Sequence, residues 1–319
     1  LTGTKRLLQR PIMPLVEALR ALGASITINN DLSLHIEGRR LQGGHLAIDA
    51  SQSSQFVSAL SLLAPTLPGG LSIELLGQRV SFPYIRMTLD VMAHFGVTCT
   101  QENNTLIIPE QAYIPKGLRI ENDWSSASFY YAMGLFCKEL DLFLPGLESQ
   151  SLQGDAHVVN LALKLGIQST FTNGGVHLQK TNTLSEAALS NLCFDYADYP
   201  DLAVPFIVAC SALFPGVKST GIQHLNLKES ERLQALQTEL KKLGYVLTYT
   251  DGVLHCSHER IDFKKSLFNL STYHDHRLAM AFAALAFTGK VIVIDDAVCV
   301  RKSFPQFWGQ LSELQLSVY

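Results

Sequence analysis

Apolar and polar positions along this chain follow two helical rhythms and one strand rhythm, repeated in a fixed order. The first rhythm is a helix with one charged face that stops at a glycine. It occurs at residues 15–24, 88–97, 159–167 and 236–245, with Gly23, Gly96, Gly166 and Gly244 placed just past the helix, where a left-handed backbone is the usual stop. These glycines recur about every 70–80 residues. Each is followed by two short alternating segments around Asn29-Asn30, Asn103-Asn104, Asn173-Gly174 or Asp251-Gly252, dipeptides suited to a tight hairpin. The second rhythm is a helix rich in small residues and apolar nearly all round, at 54–64, 126–136, 202–214 and 278–287. A helix without a polar face belongs inside a domain, covered by sheet.

In order, these elements predict an α/β fold built from β-α-β-α-β-β units. The pattern predicts three complete units, a leading piece at 1–40 and a trailing piece at 268–319 that stops before its hairpin. The chain opens on Leu1, and Thr2-Gly3-Thr4 reads like the exit from a strand, so an upstream segment is expected. A turn-rich stretch at Pro115-Lys116-Gly117 predicts a boundary at about residue 121, giving domains 1–121 and 122–319. With no low-complexity linker, the two are expected to pack across a cleft rather than drift on a tether.

Composition narrows the function classes. With 319 residues, 47% hydrophobic and 17% charged, the chain has enough apolar surface for two sizeable cores. A net charge of -3 argues against a nucleic-acid binder that neutralises a phosphate backbone, so any anion site is local. The longest apolar run, 202–214, is shorter than the roughly 20 residues needed to span a bilayer, which predicts a soluble protein with no membrane partner. The six cysteines lie far apart with no CxxC pair, as expected for a reducing cytoplasm.

Candidate chemistry gathers where helices are expected to start. Arg10 precedes Pro11, Lys228 and Arg232 flank Glu229 and Glu231, Arg277 follows Asp275-His276, and Lys302 precedes Ser303-Phe304-Pro305. Cations are disfavoured at the positive end of a helix dipole, so something anionic is expected to compensate. Ser53 and Ser54 after the apolar segment at 46–48, and Ser81 before Phe82-Pro83, add hydroxyl donors. Taken singly, the serines read as ordinary N-caps, and the cations as solvated charges worth roughly 0–1 kcal/mol. Their recurrence at one kind of position points instead to a phosphate and carboxylate site. Asp201 and Glu229 stand among them, and both roles stay open: proton carrier, or acidic residue in the first turn of a helix. His255-Cys256-Ser257-His258 falls in an alternating strand, where neighbours point to opposite faces, so it reads as structural rather than metal-binding. His274 and His276 bracket Asp275 with no further ligand run, and neither GxGxxG nor GxxxxGK[ST] occurs, so neither a dinucleotide nor a nucleoside triphosphate is suggested.

Specific words then match a known family. Gln9-Arg10-Pro11-Ile12, Ser53-Ser54-Gln55-Phe56, Val80-Ser81-Phe82-Pro83-Tyr84, KESERL at 228–233, DHRLAM at 275–280 and Lys302-Ser303-Phe304-Pro305 resemble, in order and across the whole chain, the 5-enolpyruvylshikimate-3-phosphate synthases. The resemblance implies the enolpyruvyl transferase fold, two domains of repeated β-α-β-α-β-β units with a substrate cleft between them. It implies transfer of the enolpyruvyl group of phosphoenolpyruvate to the 5-hydroxyl of shikimate 3-phosphate, on the way to chorismate and the aromatic amino acids. Ser53, Ser54, Gln55, Ser81, Tyr84, Asp201, His224 and Lys228 would hold shikimate 3-phosphate. Arg10, Gln55, Arg232, Arg277 and Lys302 would grip phosphoenolpyruvate. Asp201 would take the proton of the 5-hydroxyl, and Glu229 would exchange protons with the enolpyruvyl methylene, with His276 assisting. No metal or organic cofactor is implied, and the two substrates are the expected partners of a cytoplasmic monomer.

Departures from the family pattern qualify this expectation. The family's early glycine-serine-lysine-serine motif and its asparagine-alanine-glycine-threonine loop do not occur here, so these residues alone are not expected to turn over. His224 stands where the family usually has asparagine, and Asn226 where a basic residue is common. Two other readings stand beside the first: a UDP-N-acetylglucosamine enolpyruvyl transferase of the same fold, and a non-catalytic fragment that keeps an anion site.

Overall fold

Local backbone chemistry sets the units of this fold. The four helix-ending glycines all take left-handed backbone, with φ of 101° at Gly23, 85° at Gly96, 87° at Gly166 and 85° at Gly244. The computed structural model describes residues 1–51, 53–77, 80–181, 189, 191–258 and 266–314. The end of the expected trailing piece, 315–319, lies outside these. The chain divides into two units, one of Leu1–Ile120 with Leu152–Gly154, the other of Glu121–Ser151 with Asp155–Tyr319.

The first unit opens with α1 (Lys5–Gln9), α2 (Met13–Ala21) and a hairpin of β1 (Ser25–Ile28) and β2 (Leu34–Glu37). It continues through β3 (Gly44–Asp49), α3 (Ser54–Leu63), β4 (Leu71–Leu76), α4 (Phe82–His94), β5 (Thr100–Glu102) and β6 (Thr105–Ile108). The sheet order is β3-β4-β6-β5: a parallel pair, then an antiparallel hairpin returning onto its second strand. Period-two alternation sends Leu71, Ile73 and Leu75 into a core with Val57 and Leu60 of α3. Asn103-Asn104 makes the expected two-residue turn, with Asn103 at φ 52°. The β1–β2 turn differs from expectation. It spans residues 29–33, because Asn29 N–H bonds Ser33 O and the Asp31 carboxylate takes both the amide and the hydroxyl of Ser33.

The second unit comprises α5 (Trp124–Phe136), β7 (Asp141–Pro145), α6 (Val158–Lys164), β8 (Ile167–Thr172), β9 (Gly175–Lys180), β10 (Cys193–Asp195), α7 (Pro200–Leu213), β11 (Lys218–Thr220), α8 (Arg232–Lys241), β12 (Tyr245–Thr250), β13 (Val253–His258), β14 (Leu267–Leu270), α9 (His276–Ala283), β15 (Val291–Ile294) and α10 (Phe307–Glu313). Its four-stranded sheet, β10-β11-β13-β12, repeats the order seen in the first unit. The apolar helices α5, α7 and α9 form the centre, with Trp124, Tyr131, Phe206 and Phe282 fully buried. The middle repeat departs from the expected complete unit. Its sheet is β7-β9-β8, and among the described residues no strand precedes α5. Asn122 reaches the end of β7, bonding Gly146 O and Pro145 O, but the chain before it makes no ladder and leaves Ile120 79% exposed.

Among the described residues no helix is long and apolar enough to cross a membrane, and all six cysteines are free thiols. His255 is exposed and Cys256 half-buried on adjacent positions of β13, while the side chain of His258 lies outside the described residues.

One glycine places the site directly. Gly221, at φ 67°, turns the chain from β11 into the tight turn Gln223–Leu227, and a Cβ there would lie 2.1 Å from Asp195 Oδ1 and 2.4 Å from Ala197 N. Gly221→Ala is expected to destabilise the protein by about 3 kcal/mol, from left-handed strain plus overlap, read as a lower urea midpoint. A midpoint shift worth less than about 0.5 kcal/mol would mean that the turn yields freely.

Candidate active site

Three helix starts in the second unit carry one connected set of charges. Asp275 is the N-cap of α9, where its carboxylate accepts from Arg277 N–H at 3.0 Å, as an Asp in this position favours. The same carboxylate is fully buried and takes Arg232 Nε at 2.8 Å, Arg232 Nη2 at 3.3 Å and Ser230 Oγ at 2.9 Å. Arg232, the first residue of α8, extends Nη2 to Glu229 Oε2 at 2.7 Å and Nη1 to within 3.8 Å of Asp201 Oδ1. Arg277 closes the ring, with Nη2 2.7 Å from Asp201 Oδ2 and Nη1 3.4 Å from the Asp201 carbonyl oxygen. That carbonyl is available because Pro205 lies inside α7 and has no N–H to give the oxygen four residues before it. Lys302 Nζ stands 3.9 Å from Glu229 Oε1.

Burial and charge work against each other on these groups. Burial would raise the Asp201 carboxyl, but Arg277, Lys228 and Arg232 together hold it below the ordinary range. Glu229 behaves likewise: burial and Asp275 raise it, but Arg232, a backbone hydrogen bond and Lys302 together hold it below the ordinary range. At Asp275, burial is overcome by the charge and hydrogen bonds of Arg232, and its pKa falls to about 2. Burial lowers Lys228, partly offset by Asp201. His224 and His276 are both pushed down to about 4, first by burial and then by Lys228 for the one and Arg277 for the other. Both rings are therefore neutral near pH 7. Both ring nitrogens of His224, Nδ1 of His276 and Nη1 of Arg232 are buried with no hydrogen-bond partner among the described residues. Such atoms are uncommon in a folded protein, and each has room for a polar partner.

The first unit places its candidate residues differently. Ser53 caps α3, accepting from Gln55 N at 3.3 Å, while Ser54 is buried and Gln55 exposed. Ser81 is the N-cap of α4 in left-handed backbone, φ 58° and ψ 30°, with its side chain making no capping bond. A buried non-glycine residue in that region is strained, and strain of this kind clusters at functional sites. Tyr84 is half-buried one turn further on.

The expected placement of cations at helix starts needs correction. Only Arg232 and Arg277 stand in a first turn. Arg10 is an exposed residue in extended backbone after α1, as a residue before proline must be, and Pro14 rather than Pro11 lies in the first turn of α2. Lys228 follows the tight turn Gln223–Leu227 in extended backbone, and Lys302 ends the tight turn Val298–Lys302. Asp201 does lie in the first turn of α7, whereas Glu229 precedes α8. The structure thus brings Asp201, Glu229, Arg232, Arg277 and Lys302 into one ion-paired set, with His276 beside Asp275 at 3.8 Å. Asp275, the residue holding this set together, was absent from the expected site. Its N-cap position is legible in sequence, but its reach to Arg232 is not.

With this geometry described, relatedness is decided by one finding. The sequence pattern of the EPSP synthase family (3-phosphoshikimate 1-carboxyvinyltransferase) matches residues 1–311. The chain belongs to that family. It is 40% identical over 317 residues to a 3-phosphoshikimate 1-carboxyvinyltransferase of Bacteroides fragilis, covering 98% of this chain and 76% of the relative. A relative of the same description from Aliivibrio fischeri is 34% identical over 328 residues, covering 98% and 73%. Among solved structures, EPSP synthase from Acinetobacter baumannii superposes with a TM-score of 0.69 at 20% identity, over 98% of this chain and 72% of that one. The enolpyruvyl transferase NikO from Streptomyces tendae gives 0.68 at 14% identity, over 96% and 72%. These two show the same fold. The family match does not favour the UDP-N-acetylglucosamine reading.

Asp275→Asn leaves a buried guanidinium without its carboxylate, so a loss of about 3 kcal/mol is expected from urea unfolding at pH 7. The buried histidines set an acid limit of their own. Each has an ordinary value of 6.5 and a folded value of about 4, so below pH 6.5 the unfolded chain takes up more protons and stability falls until about pH 4. His224→Asn should flatten the decline across that window, removing on the order of 3 kcal/mol of it, as read from urea midpoints at several pH values.

Proposed function

We propose that the protein is a 3-phosphoshikimate 1-carboxyvinyltransferase, moving the enolpyruvyl group of phosphoenolpyruvate to the 5-hydroxyl of shikimate 3-phosphate and releasing phosphate. The observation that carries this reading is the set of buried nitrogens without a hydrogen bond on Arg232, His224 and His276, beside a cluster of cations that carboxylates only partly neutralise. Lys228, Arg232, Arg277 and Lys302 are four cations against the three carboxylates Asp201, Glu229 and Asp275, which leaves one net positive charge. A substrate with both phosphate and carboxylate groups suits such a site, and the forked donors of arginine suit both groups.

In this reading the first unit supplies the helix-start donors Ser53, Ser54 and Ser81, with Gln55 and Tyr84, for shikimate 3-phosphate. His224, Lys228 and Asp201 are assigned to shikimate 3-phosphate as well. Arg10, Gln55, Arg232, Arg277 and Lys302 grip phosphoenolpyruvate. The Asp201 carboxylate, held ionised by its guanidinium neighbours, accepts the proton as the 5-hydroxyl oxygen bonds to the central carbon of phosphoenolpyruvate. Glu229 delivers a proton to the methylene carbon, giving a tetrahedral intermediate, and takes one back as phosphate leaves. Bound anions beside Glu229 favour its protonated form, the direction this step requires. Neutral His276 lies close enough to assist. No metal has a step in this scheme. Free thiols and the absence, among the described residues, of a membrane-crossing helix support action in the cytoplasm, and we take the working form to be a monomer.

The decisive experiment uses the protein as its gene encodes it. Asp201→Asn should lower kcat by roughly 100- to 10,000-fold while calorimetry still detects shikimate 3-phosphate binding. Near-normal turnover would remove Asp201 from proton transfer. Arg277→Ala should raise KM for phosphoenolpyruvate roughly 10- to 100-fold, the worth of a charge-assisted hydrogen bond. An unchanged KM would take Arg277 out of the clamp.

A further inference from the structure

Asp201 is the second residue of α7, so the position of its carboxylate depends on how the chain turns into that helix. The residue at the threshold is Tyr199, whose side chain makes no capping hydrogen bond. A polar cap is the ordinary way to hold a helix start, and here a ring stack takes its place. The His157 ring lies flat on the Tyr199 ring, with centroids 4.1 Å apart and planes 4° from parallel.

His157 is itself held from behind. It ends the tight turn Gly154–His157 that leads into α6, and within that turn Asp155 is 2% exposed and accepts a hydrogen bond from Ser125 in the first turn of α5. Asn160 lies 3.4 Å from its Nδ1. The stack therefore ties the threshold of α7 to α5 and α6 of the same core. Burial, helped by nearby charges, keeps both rings neutral. Burial and then Lys164 lower the His157 pKa against the pull of Asp198, while burial, Asp198 and Asp155 raise that of Tyr199.

We propose that, for the transfer reaction above, His157 is a positioning residue whose ring, stacked on Tyr199, holds residues 198–201 so that the Asp201 carboxylate meets the 5-hydroxyl. Pro200 fixes one backbone angle at the helix start, but it leaves the direction of approach to Tyr199. A shift of about 1 Å in a reacting group can cost as much as 100-fold in rate, so a modest loss of order here is visible in turnover.

The test uses the protein as its gene encodes it, with His157→Ala and His157→Phe. The alanine variant should lose roughly five- to tenfold in kcat, the size of an aromatic pair, and the phenylalanine variant, which keeps a flat ring, should return to within about twofold of wild type. KM for phosphoenolpyruvate should move by less than about twofold in both, because the cations that hold it are untouched. Amide hydrogen exchange across residues 198–203 should quicken in the alanine variant and not in the phenylalanine variant. Unchanged kcat in His157→Ala, or a phenylalanine variant as slow as alanine, overturns the positioning role, and so does unchanged exchange. A wild-type protein without turnover fails the proposed reaction, a result distinct from an active wild type whose alanine variant is equally fast.

Discussion

A guanidinium group 1% exposed to solvent is the constraint on which the second unit depends. A buried charge is tolerable only with close opposite charges and filled hydrogen-bonding positions. Arg232 meets that demand with Asp275 on one side and Glu229 on another, and its remaining nitrogen is left toward Asp201. Each partner is anchored elsewhere by something else: Asp275 by the start of α9, Asp201 by the first turn of α7 and by Arg277. The buried cation thus fixes three chain segments relative to one another before any substrate arrives. Pre-organisation of this kind spares a reacting complex the cost of arranging its own charges.

The two units present different chemistry at their helix starts. In the first, neutral donors sit at helix starts, with Ser53 capping α3 and Ser81 held in left-handed backbone at α4. In the second, fixed cations are balanced against carboxylates. Neutral donors suit a phosphate monoester that stays intact through the reaction. Cations matched by carboxylates suit a substrate whose charge distribution changes while bonds break, because proton acceptors and donors are then already in place.

Much of the fold was legible because its determinants are local. A glycine stop, an Asp251-Gly252 hairpin with both residues at positive φ, and an all-apolar helix each need only neighbouring residues to form. The absence of a leading strand from the middle repeat was not legible, since a strand exists only if a partner edge pairs with it. In the candidate site, Arg10, Lys228, Arg232, Arg277 and Lys302 stood out as cations in or just before helix starts, with Asp201 and Glu229 among them, yet only Arg232 and Arg277 stand within a first turn. The contacts that organise them join residues 43 and 76 positions apart in the chain, and no local pattern encodes those. Asp275 was readable as a cap and unreadable as the keystone of the charge set.

Pro205 shows what such long-range design means for variation in this chain. Judged alone, a proline inside a buried helix is a defect, and an engineer seeking a sturdier protein would replace it first. Yet the unfilled carbonyl it leaves on Asp201 is where Arg277 rests a second donor. Repairing the helix would hand that oxygen to a backbone amide and take from the guanidinium one of its two contacts with Asp201. The flaw and the contact are inherited together, so a change that straightens α7 also loosens the tie between Asp201 and Arg277.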